Sequence, residues 1–202
     1  MKTKEVIIKT ALKLFLSKGF NETSMNEIAQ EVGVSKPAIY HHFKNKDELV
    51  GAIFDYFTQR ITSWGTQYFA DCVTAEQKVK KMFAATPLFM NIEKVLLDDN
   101  APDLPYSYNM FLLLMSRMMA TYKSRISQDF HRTRDIINHM LTGLQQEEII
   151  RDDIDPEALS LMMHSIIEGL SFLGELIESA DVAGDSEKLY NTFWKLIKKE
   201  NE

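Results

Sequence analysis

The stretch GVSKPAIYHHF, residues 33–43, holds the side chains of this sequence whose types and spacing are best suited to chemistry. His41 and His42 could ligate a metal, transfer protons, pack in a core or donate hydrogen bonds to an anion. Adjacent helical residues point about 100° apart, so the two histidines are poorly placed to share one metal. The other three histidines are distant in sequence and show no metal-site spacing such as HExxH. We therefore expect no metal site, and packing stays the serious alternative to anion binding.

Catalysis by the same stretch is also disfavoured. The sequence contains no motif for an activated nucleophile and no glycine-rich loop that would cradle a phosphate. We therefore expect no catalytic residues, no cofactor and no enzymatic activity.

The residues around this stretch predict the elements that must position it. Ser24 and Glu27 have the spacing of a capping box, in which each side chain accepts a hydrogen bond from the other residue's backbone N–H. They begin a short helix that Gly33 ends, because glycine readily adopts the left-handed conformation of a helix terminus. Ser35 can then cap a second helix after a turn of only three residues. This pattern predicts a helix-turn-helix.

Charge is unevenly distributed along the chain. Residues 1–46 contain eight lysines and four glutamates and carry +4, whereas the whole chain carries −6. The remaining 156 residues therefore carry −10. A basic segment on an acidic body is typical of a protein in which one small region meets phosphate groups.

The composition indicates a globular protein of a reducing compartment. The only cysteine is Cys72, so an internal disulfide and a cysteine-based zinc site are both excluded. No apolar run approaches the roughly 20 residues of a membrane-spanning helix, and the first residues do not resemble a secretory signal. We expect a cytoplasmic protein with no membrane contact.

The rest of the chain is helical in pattern. Asn45 and Glu48 form a cap-like pair that begins a long fourth helix. Asp155 followed by Pro156 is a strong start signal for a helix over about residues 157–178, and a last helix is expected over 187–199. We interpret residues 98–105 (DDNAPDLP) and 181–186 (DVAGDS) as loops. The predicted fold is all-α, with about nine helices.

Residues 7–50 resemble the DNA-binding domain of the TetR family of bacterial transcriptional regulators. The resemblance spans about 45 residues and implies a three-helix DNA-binding domain over residues 1–46, followed by a larger ligand-binding and dimerisation domain over residues 47–202. The matching residues are Ala11, Phe15, Gly19, Phe20, Thr23, Ser24, Ile28, Ala29, Gly33, Val34, Ser35, Ile39, Tyr40, His41, His42, Phe43, Lys46 and Leu49.

The resemblance implies a role for each residue of the helix-turn-helix. Lys36 would donate to a guanine edge in the major groove, and Pro37 and Ala38 would offer apolar contact to a thymine methyl. The residues implied to contact phosphate are Tyr40, His42 and Lys46, whereas His41 is left open between backbone and base. The first turn of the preceding helix would contact the DNA backbone or an outer base through Ser24, Met25 and Asn26.

The resemblance also implies a homodimer through the last two helices, bound to a palindromic double-stranded operator, and a small-molecule effector. Flexible methionines and aromatic side chains suit a pocket for apolar ligands, although plain core packing is at least as good an explanation for each one. The candidate pocket residues are Trp64, Phe83, Met90, Met110, Leu114, Met118, Phe130, Ile137, His164, Glu168 and Phe172.

The implied function is a repressor that a small apolar or amphipathic effector releases from its operator. Activation instead of repression stays open at this point. The alternative function is an all-helical small-molecule-binding or enzymatic module in which the helix-turn-helix is an unused scaffold.

Overall fold

Helices account for all the regular elements in the computed structural model, which describes residues 3–90, 97 and 108–200. The helices are α1 (Thr3–Lys18), α2 (Met25–Val32), α3 (Lys36–His42), α4 (Lys46–Tyr68), α5 (Ala75–Ala84), α6 (Thr86–Met90), α7 (Tyr108–Met118), α8 (Ala120–Gln146), α9 (Pro156–Leu176) and α10 (Val182–Ile197). Single residues separate α5 from α6 and α7 from α8. The all-α prediction with about nine helices is confirmed. The predicted loop at 98–105 lies outside the described residues.

The chain divides into two compact units, each of which is described by itself. Residues Met1–Gln67 and Asn91–Ser124 form the N-terminal unit. Residues Tyr68–Met90 and Arg125–Glu202 form the C-terminal unit. The N-terminal unit extends beyond residue 46, and the domain boundary at that position stays a prediction.

The N-terminal unit has a core of aliphatic and aromatic side chains from α1 to α4. Helix α1 packs on α2, and α2 packs on α3. Phe15 of α1 stacks on Phe111 of α7, with 6.1 Å between the ring centroids, so α7 is part of this unit. The buried side chains of α1–α4 include Ile7, Ala11, Leu12, Phe15, Leu16, Ile28, Ala29, Ile39, Leu49, Val50, Ile53 and Phe54.

The C-terminal unit is built on α9 and α10, which contact each other and also α6. Its core side chains come from four helices and one loop: Val79, Phe83, Ile137, Leu141, Leu144, Ile150, Leu159, Met163, Ile167, Tyr190, Phe193, Trp194 and Ile197. The end of α10 is fixed to the loop before α9, because the Arg151 N–H donates to the Ile197 carbonyl at 2.8 Å.

Two predicted helix starts have different outcomes. Asp155 caps α9 as expected, since its carboxylate accepts a hydrogen bond from the Glu157 N–H at 3.0 Å. The loop interpretation of residues 181–186 is wrong, because α10 begins at Val182. The Asp181 carboxylate accepts a hydrogen bond from the Gly184 N–H at 3.0 Å and so provides the cap one turn earlier.

Candidate nucleic-acid interface

The turn between α2 and α3 has the geometry that the sequence predicts. Gly33 has φ 77°, and its N–H and that of Val34 donate to carbonyls in the last turn of α2. The Ser35 hydroxyl accepts a hydrogen bond from the Ala38 N–H at 3.4 Å and begins α3. Because only glycine adopts a positive φ at little cost, this residue sets the angle at which α3 leaves α2.

The capping box at the start of α2 forms only in part. The Ser24 hydroxyl accepts a hydrogen bond from the Glu27 N–H at 3.2 Å, as predicted. The Glu27 carboxylate instead pairs with the Lys18 ammonium at the end of α1. The predicted bond from the Ser24 N–H to Glu27 is therefore replaced by an ion pair that ties α1 to α2.

Helix α3 is attached to the unit through one buried residue, Ile39, which is fully inaccessible to solvent. Lys36, Pro37 and His41 are exposed, and 41% of Tyr40 is accessible. Ala38 and His42 are half-buried. One side of this short helix therefore carries an ammonium, a phenol and an imidazole towards solvent, and all three can donate hydrogen bonds.

The two histidines do not share a common direction. Their ring centroids lie 5.5 Å apart and the ring planes meet at 69°. The described residues contain no group of three His, Cys, Asp or Glu side chains that could hold a metal ion. The geometry of this pair suits separate contacts on the two sides of α3.

The predicted contacts in the first turn of α2 differ in accessibility. Ser24 and Asn26 are exposed, whereas only 7% of Met25 is accessible because its side chain joins the core. A contact from Met25 to a ligand would have to come from its backbone amide. A methionine among polar neighbours at a helix start could have indicated this inward orientation.

Lys46 has intramolecular partners that the sequence does not reveal. Its ammonium donates to the Phe20 carbonyl at 2.6 Å and to the Thr23 carbonyl at 2.7 Å, and it lies 4.1 Å from the centroid of the Phe20 ring. Burial lowers the pKa of Lys46, an effect that the nearby carboxylates of Asp47 and Glu22 oppose. Lys46 therefore ties the start of α4 to the connection between α1 and α2, and one of its three N–H groups is left for another acceptor.

Two hydrogen bonds stabilise the connection between α3 and α4 where α4 begins. The Asn45 side-chain oxygen accepts from the Glu48 N–H at 2.8 Å, and the Glu48 carboxylate accepts from the Lys44 N–H at 2.7 Å. The predicted cap at Asn45 is therefore confirmed. In a full capping box the Glu48 carboxylate would accept from the Asn45 N–H, whereas here it accepts from the N–H of the preceding residue, Lys44. The connection from α3 to α4 is thus only three residues long and is hydrogen-bonded at its α4 end.

Lys4 is a residue of this surface that the sequence does not single out. It is exposed on the first turn of α1, and its ammonium lies 5.5 Å from the centroid of the Phe43 ring at the end of α3. The fold therefore adds a cation beside α3 from a position more than 30 residues away in sequence.

Comparisons with known proteins match this architecture. The family described as "Bacterial regulatory proteins, tetR family" matches residues 7–58. The uncharacterised HTH-type transcriptional regulator YerO of Bacillus subtilis (strain 168) is 50% identical over 54 residues, which are 27% of this chain and 19% of that protein. Residues 7–58 are therefore a DNA-binding domain of the TetR type.

Two further relatives extend the similarity to the whole fold. The HTH-type transcriptional regulator TtgR of Pseudomonas putida is 24% identical over 192 residues, covering 94% of this chain and 89% of TtgR. The crystal structure of a transcriptional regulator from Saccharomonospora viridis in complex with choline is 18% identical and has a TM-score of 0.76, covering 98% of both chains. The matched segment spans only about a fifth to a third of the length of three curated relatives, including YerO.

The candidate pocket residues are distributed over both units. Trp64, Met110 and Leu114 lie in the N-terminal unit, and the side chains of Met90 and Met118 lie outside the described part. Phe83 and Ile137 are at most 1% accessible and belong to the core of the C-terminal unit. The convergence of these residues on one pocket stays a prediction.

His164 has the most specific surroundings among the pocket candidates. It is 9% accessible, its ring stacks on that of Phe130 with centroids 5.5 Å apart, and its Nε2 lies 3.5 Å from a Glu168 carboxylate oxygen. Phe172 and Phe130 are partly exposed, with 55% and 42% of their surfaces accessible. The structure thus brings His164, Phe130 and Glu168 together.

Proposed function

We propose that this protein is a dimeric DNA-binding transcriptional repressor, released from a palindromic operator by a small apolar or amphipathic effector. The observation that carries the proposal is helix α3, which buries only Ile39 and leaves a row of hydrogen-bond donors exposed on the basic part of the chain. A short helix with this exposure can enter the major groove, where donors and methyl groups distinguish base pairs. In this proposal the protein is a cytoplasmic regulator and not an enzyme.

In the proposed complex, α3 reads bases and its neighbours bind phosphates. Lys36 donates to guanine, Pro37 and Ala38 contact a thymine methyl, and His41 contacts either backbone or base. Tyr40 and His42 donate to phosphate oxygens.

Residues outside α3 complete the phosphate contacts. The remaining N–H of Lys46 is directed to a phosphate, and Lys4 adds a further cation from α1. Ser24 and Asn26 contact the DNA backbone, together with the Met25 amide. The start of α2 favours an anion, because helix N-termini carry a partial positive charge.

The dimer is proposed to form through α9 and α10. Helix α9 is apolar on two opposite sides: Leu159, Met163 and Ile167 face the core, whereas the other side is exposed. We call this exposed side the α9 apolar strip; its residues are Leu161, Met162, Phe172, Leu173 and Leu176, each 40–65% accessible. A helix with two apolar sides is stable in water only when both are buried.

The centre of the α9 apolar strip is suited to close helix packing. Ser165 and Gly169 lie between the large residues, both are exposed, and nothing lies within 4 Å of a Cβ built on Gly169. Small residues at the crossing point let two helices approach closely, so we propose that α9 crosses its counterpart in a second copy of the chain there. Dimerisation places two copies of α3 about 34 Å apart or a multiple of it, as a palindrome requires.

The effector is proposed to bind in the C-terminal unit beside His164. The Ser171 hydroxyl and the side-chain oxygen of Asn138 are buried and have no hydrogen-bond partner among the described residues. Buried polar atoms are costly without partners, so a bound molecule with polar groups would stabilise them. The solved relative with choline gives a precedent for a small ligand in this fold.

Selection from a random pool of double-stranded DNA tests the proposed function. The wild-type chain is expected to enrich a palindrome, and Lys36→Ala is expected to lose preference at one position of each half-site. Lys13→Ala, at an exposed lysine of α1, serves as the control. Failure of the wild-type chain to enrich any sequence would indicate that the helix-turn-helix is an unused scaffold.

A further inference from the structure

We infer that Tyr122 is a positioning residue for DNA binding: its hydroxyl, in the first turn of α8, holds the first turn of α4 and thereby sets the placement of α3. This role rests on the proposed DNA-binding function. It concerns contacts within the N-terminal unit, to which Tyr122, α3 and residues 46–67 of α4 all belong.

The hydroxyl contact joins residues that are far apart in sequence. Tyr122 Oη donates to the Asp47 carbonyl at 2.5 Å across a separation of 75 residues. Only 7% of Tyr122 is accessible, and its ring stacks on that of Phe54 with centroids 4.9 Å apart and an interplanar angle of 13°. The ring supplies apolar packing, whereas the hydroxyl supplies the directional contact.

Helix α4 leaves room for this hydroxyl at Gly51. A Cβ built on Gly51 would lie 3.2 Å from Tyr122 Oη, closer than an ordinary van der Waals contact. Gly65 of the same helix has nothing within 4 Å of its built Cβ. Glycine is a poor residue for a helix interior, so its presence at position 51 is explained by the close approach of Tyr122.

The first turn of α4 is in turn coupled to α3. Only residues 43–45 separate the two helices. The Phe43 N–H donates to the Ile39 carbonyl at the end of α3, and Asn45 caps the start of α4. Lys46, adjacent to Asp47, fixes the same turn to the Phe20 and Thr23 carbonyls. Among these contacts to the first turn of α4, the bond from Tyr122 is the one that comes from α8. Residues 125–146 of α8 belong to the C-terminal unit.

The Tyr122 hydroxyl therefore fixes the position of the first turn of α4, whereas the Tyr122 ring stabilises the fold of the N-terminal unit by apolar packing. Without the hydroxyl, the start of α4 keeps its apolar packing and loses the bond that fixes its position. In a dimer, a less fixed α4 broadens the distribution of distances between the two copies of α3. Binding to both half-sites at once then costs more ordering entropy, whereas binding to one half-site does not.

The test compares Tyr122→Phe with wild type on a selected palindrome and on a duplex that carries one half-site. The hydroxyl deletion is expected to weaken palindrome binding about fivefold and half-site binding less than about twofold. It is also expected to flatten the dependence of affinity on insertion or deletion of one base pair between the half-sites. Unchanged or tighter palindrome binding would overturn the role, as would equal losses on both duplexes.

Gly51→Ala provides an independent arm with a matched control. The added methyl group displaces the hydroxyl and is expected to weaken palindrome binding by a similar factor, whereas Gly65→Ala leaves it unchanged. In the Tyr122→Phe background the methyl group has room, so Gly51→Ala is expected to cause no further loss. Independent, multiplying losses in the double variant would contradict the proposed contact.

The binding measurements distinguish a failure of the Tyr122 positioning role from a failure of the proposed DNA-binding function. A wild-type chain that selects no DNA refutes the proposed function and the positioning role together. A wild-type chain that binds the palindrome and a Tyr122→Phe variant that binds it equally well refute the positioning role alone.

Discussion

Helices α3 and α9 both leave one side exposed, but they expose opposite chemistry. Helix α3 buries one residue, Ile39, and exposes Lys36, Tyr40 and His41. Helix α9 buries a full stripe of its length and exposes large apolar side chains such as Phe172 and Leu176. An exposed row of donors suits a polyanion, whereas an exposed apolar row suits another apolar surface.

The two surfaces impose different demands on the fold. The donors of α3 need accurate placement, because base and phosphate contacts depend on direction. The α9 apolar strip needs burial, because the hydrophobic effect depends on area and little on direction. The hydrogen-bonded start of α4 provides the accurate placement of the α3 donors. The continuous apolar core of the C-terminal unit supports the burial of the α9 apolar strip.

The largest expected effect comes from placing charge in the α9 apolar strip. Phe172→Glu combined with Leu176→Glu is expected to weaken self-association about 100-fold or more, because buried apolar contacts at an interface centre dominate its energy. Sedimentation equilibrium over a range of concentrations measures the change. Ile136→Glu, at an exposed isoleucine of α8 outside the strip, is the matched control. A variant as dimeric as the control would refute the proposed interface.

A smaller effect is expected from Lys46, a cation of the N-terminal unit that the fold engages internally. Lys46→Met keeps the apolar stem over Phe20 and removes two hydrogen bonds to carbonyls, so the free energy of unfolding is expected to fall by about 2 kcal/mol. Urea denaturation measures it. Lys44→Met, at an exposed lysine, is expected to change stability little. Equal stability of the two variants would contradict the structural role of the Lys46 ammonium.

The exposed donors of α3 are expected to act on DNA and not on stability. Lys36→Ala should weaken binding to the selected palindrome about tenfold, the loss of one base contact per half-site, with an unchanged unfolding midpoint. Fluorescence anisotropy measures the affinity. Tyr40→Phe should weaken binding similarly on all sequences, since a phosphate contact carries no base preference. Loss of specificity in Tyr40→Phe instead of Lys36→Ala would reverse the proposed roles.

The smallest effect is expected at an ion pair of the C-terminal unit, between Asp71 and Lys81. A hydrogen bond from Lys81 lowers the pKa of Asp71 in the folded state. The pair therefore contributes stability above the unfolded pKa of the carboxyl group, and this contribution is lost as the pH falls through the folded pKa. Asp71→Asn should lower the melting temperature slightly at pH 7, and this difference should shrink as the pH falls through the folded pKa of Asp71. A difference that persists at low pH would exclude the ion pair as its cause.

The parts of the fold that could be predicted from sequence are those set by neighbouring residues. Caps at Ser35, Asn45 and Asp155 and the turn at Gly33 depend on side chains within four residues of the backbone groups that they satisfy. The start of α10 was missed because Gly184 is a typical loop residue. Its N–H is satisfied by Asp181, which makes the glycine part of a first turn.

The candidate site is less predictable where distant residues meet. Nothing near Lys46 in sequence indicates that its ammonium binds the Phe20 and Thr23 carbonyls. The bond from Tyr122 to Asp47 links two separate helices and leaves no local pattern beyond the unexpected Gly51. Residue type alone also does not distinguish core residues from pocket residues. Phe83 is buried and Phe130 is partly exposed, although both are phenylalanines.

The most direct test of the account is the affinity of the wild-type chain for its selected palindrome at several salt concentrations. We expect a single dimer to bind each palindrome, with an affinity that falls linearly on logarithmic axes as salt rises, because lysine contacts release counterions from the phosphates. A scrambled duplex should bind far more weakly at each concentration. Equal affinity for the palindrome and the scrambled duplex would contradict the central claim that α3 reads a DNA sequence.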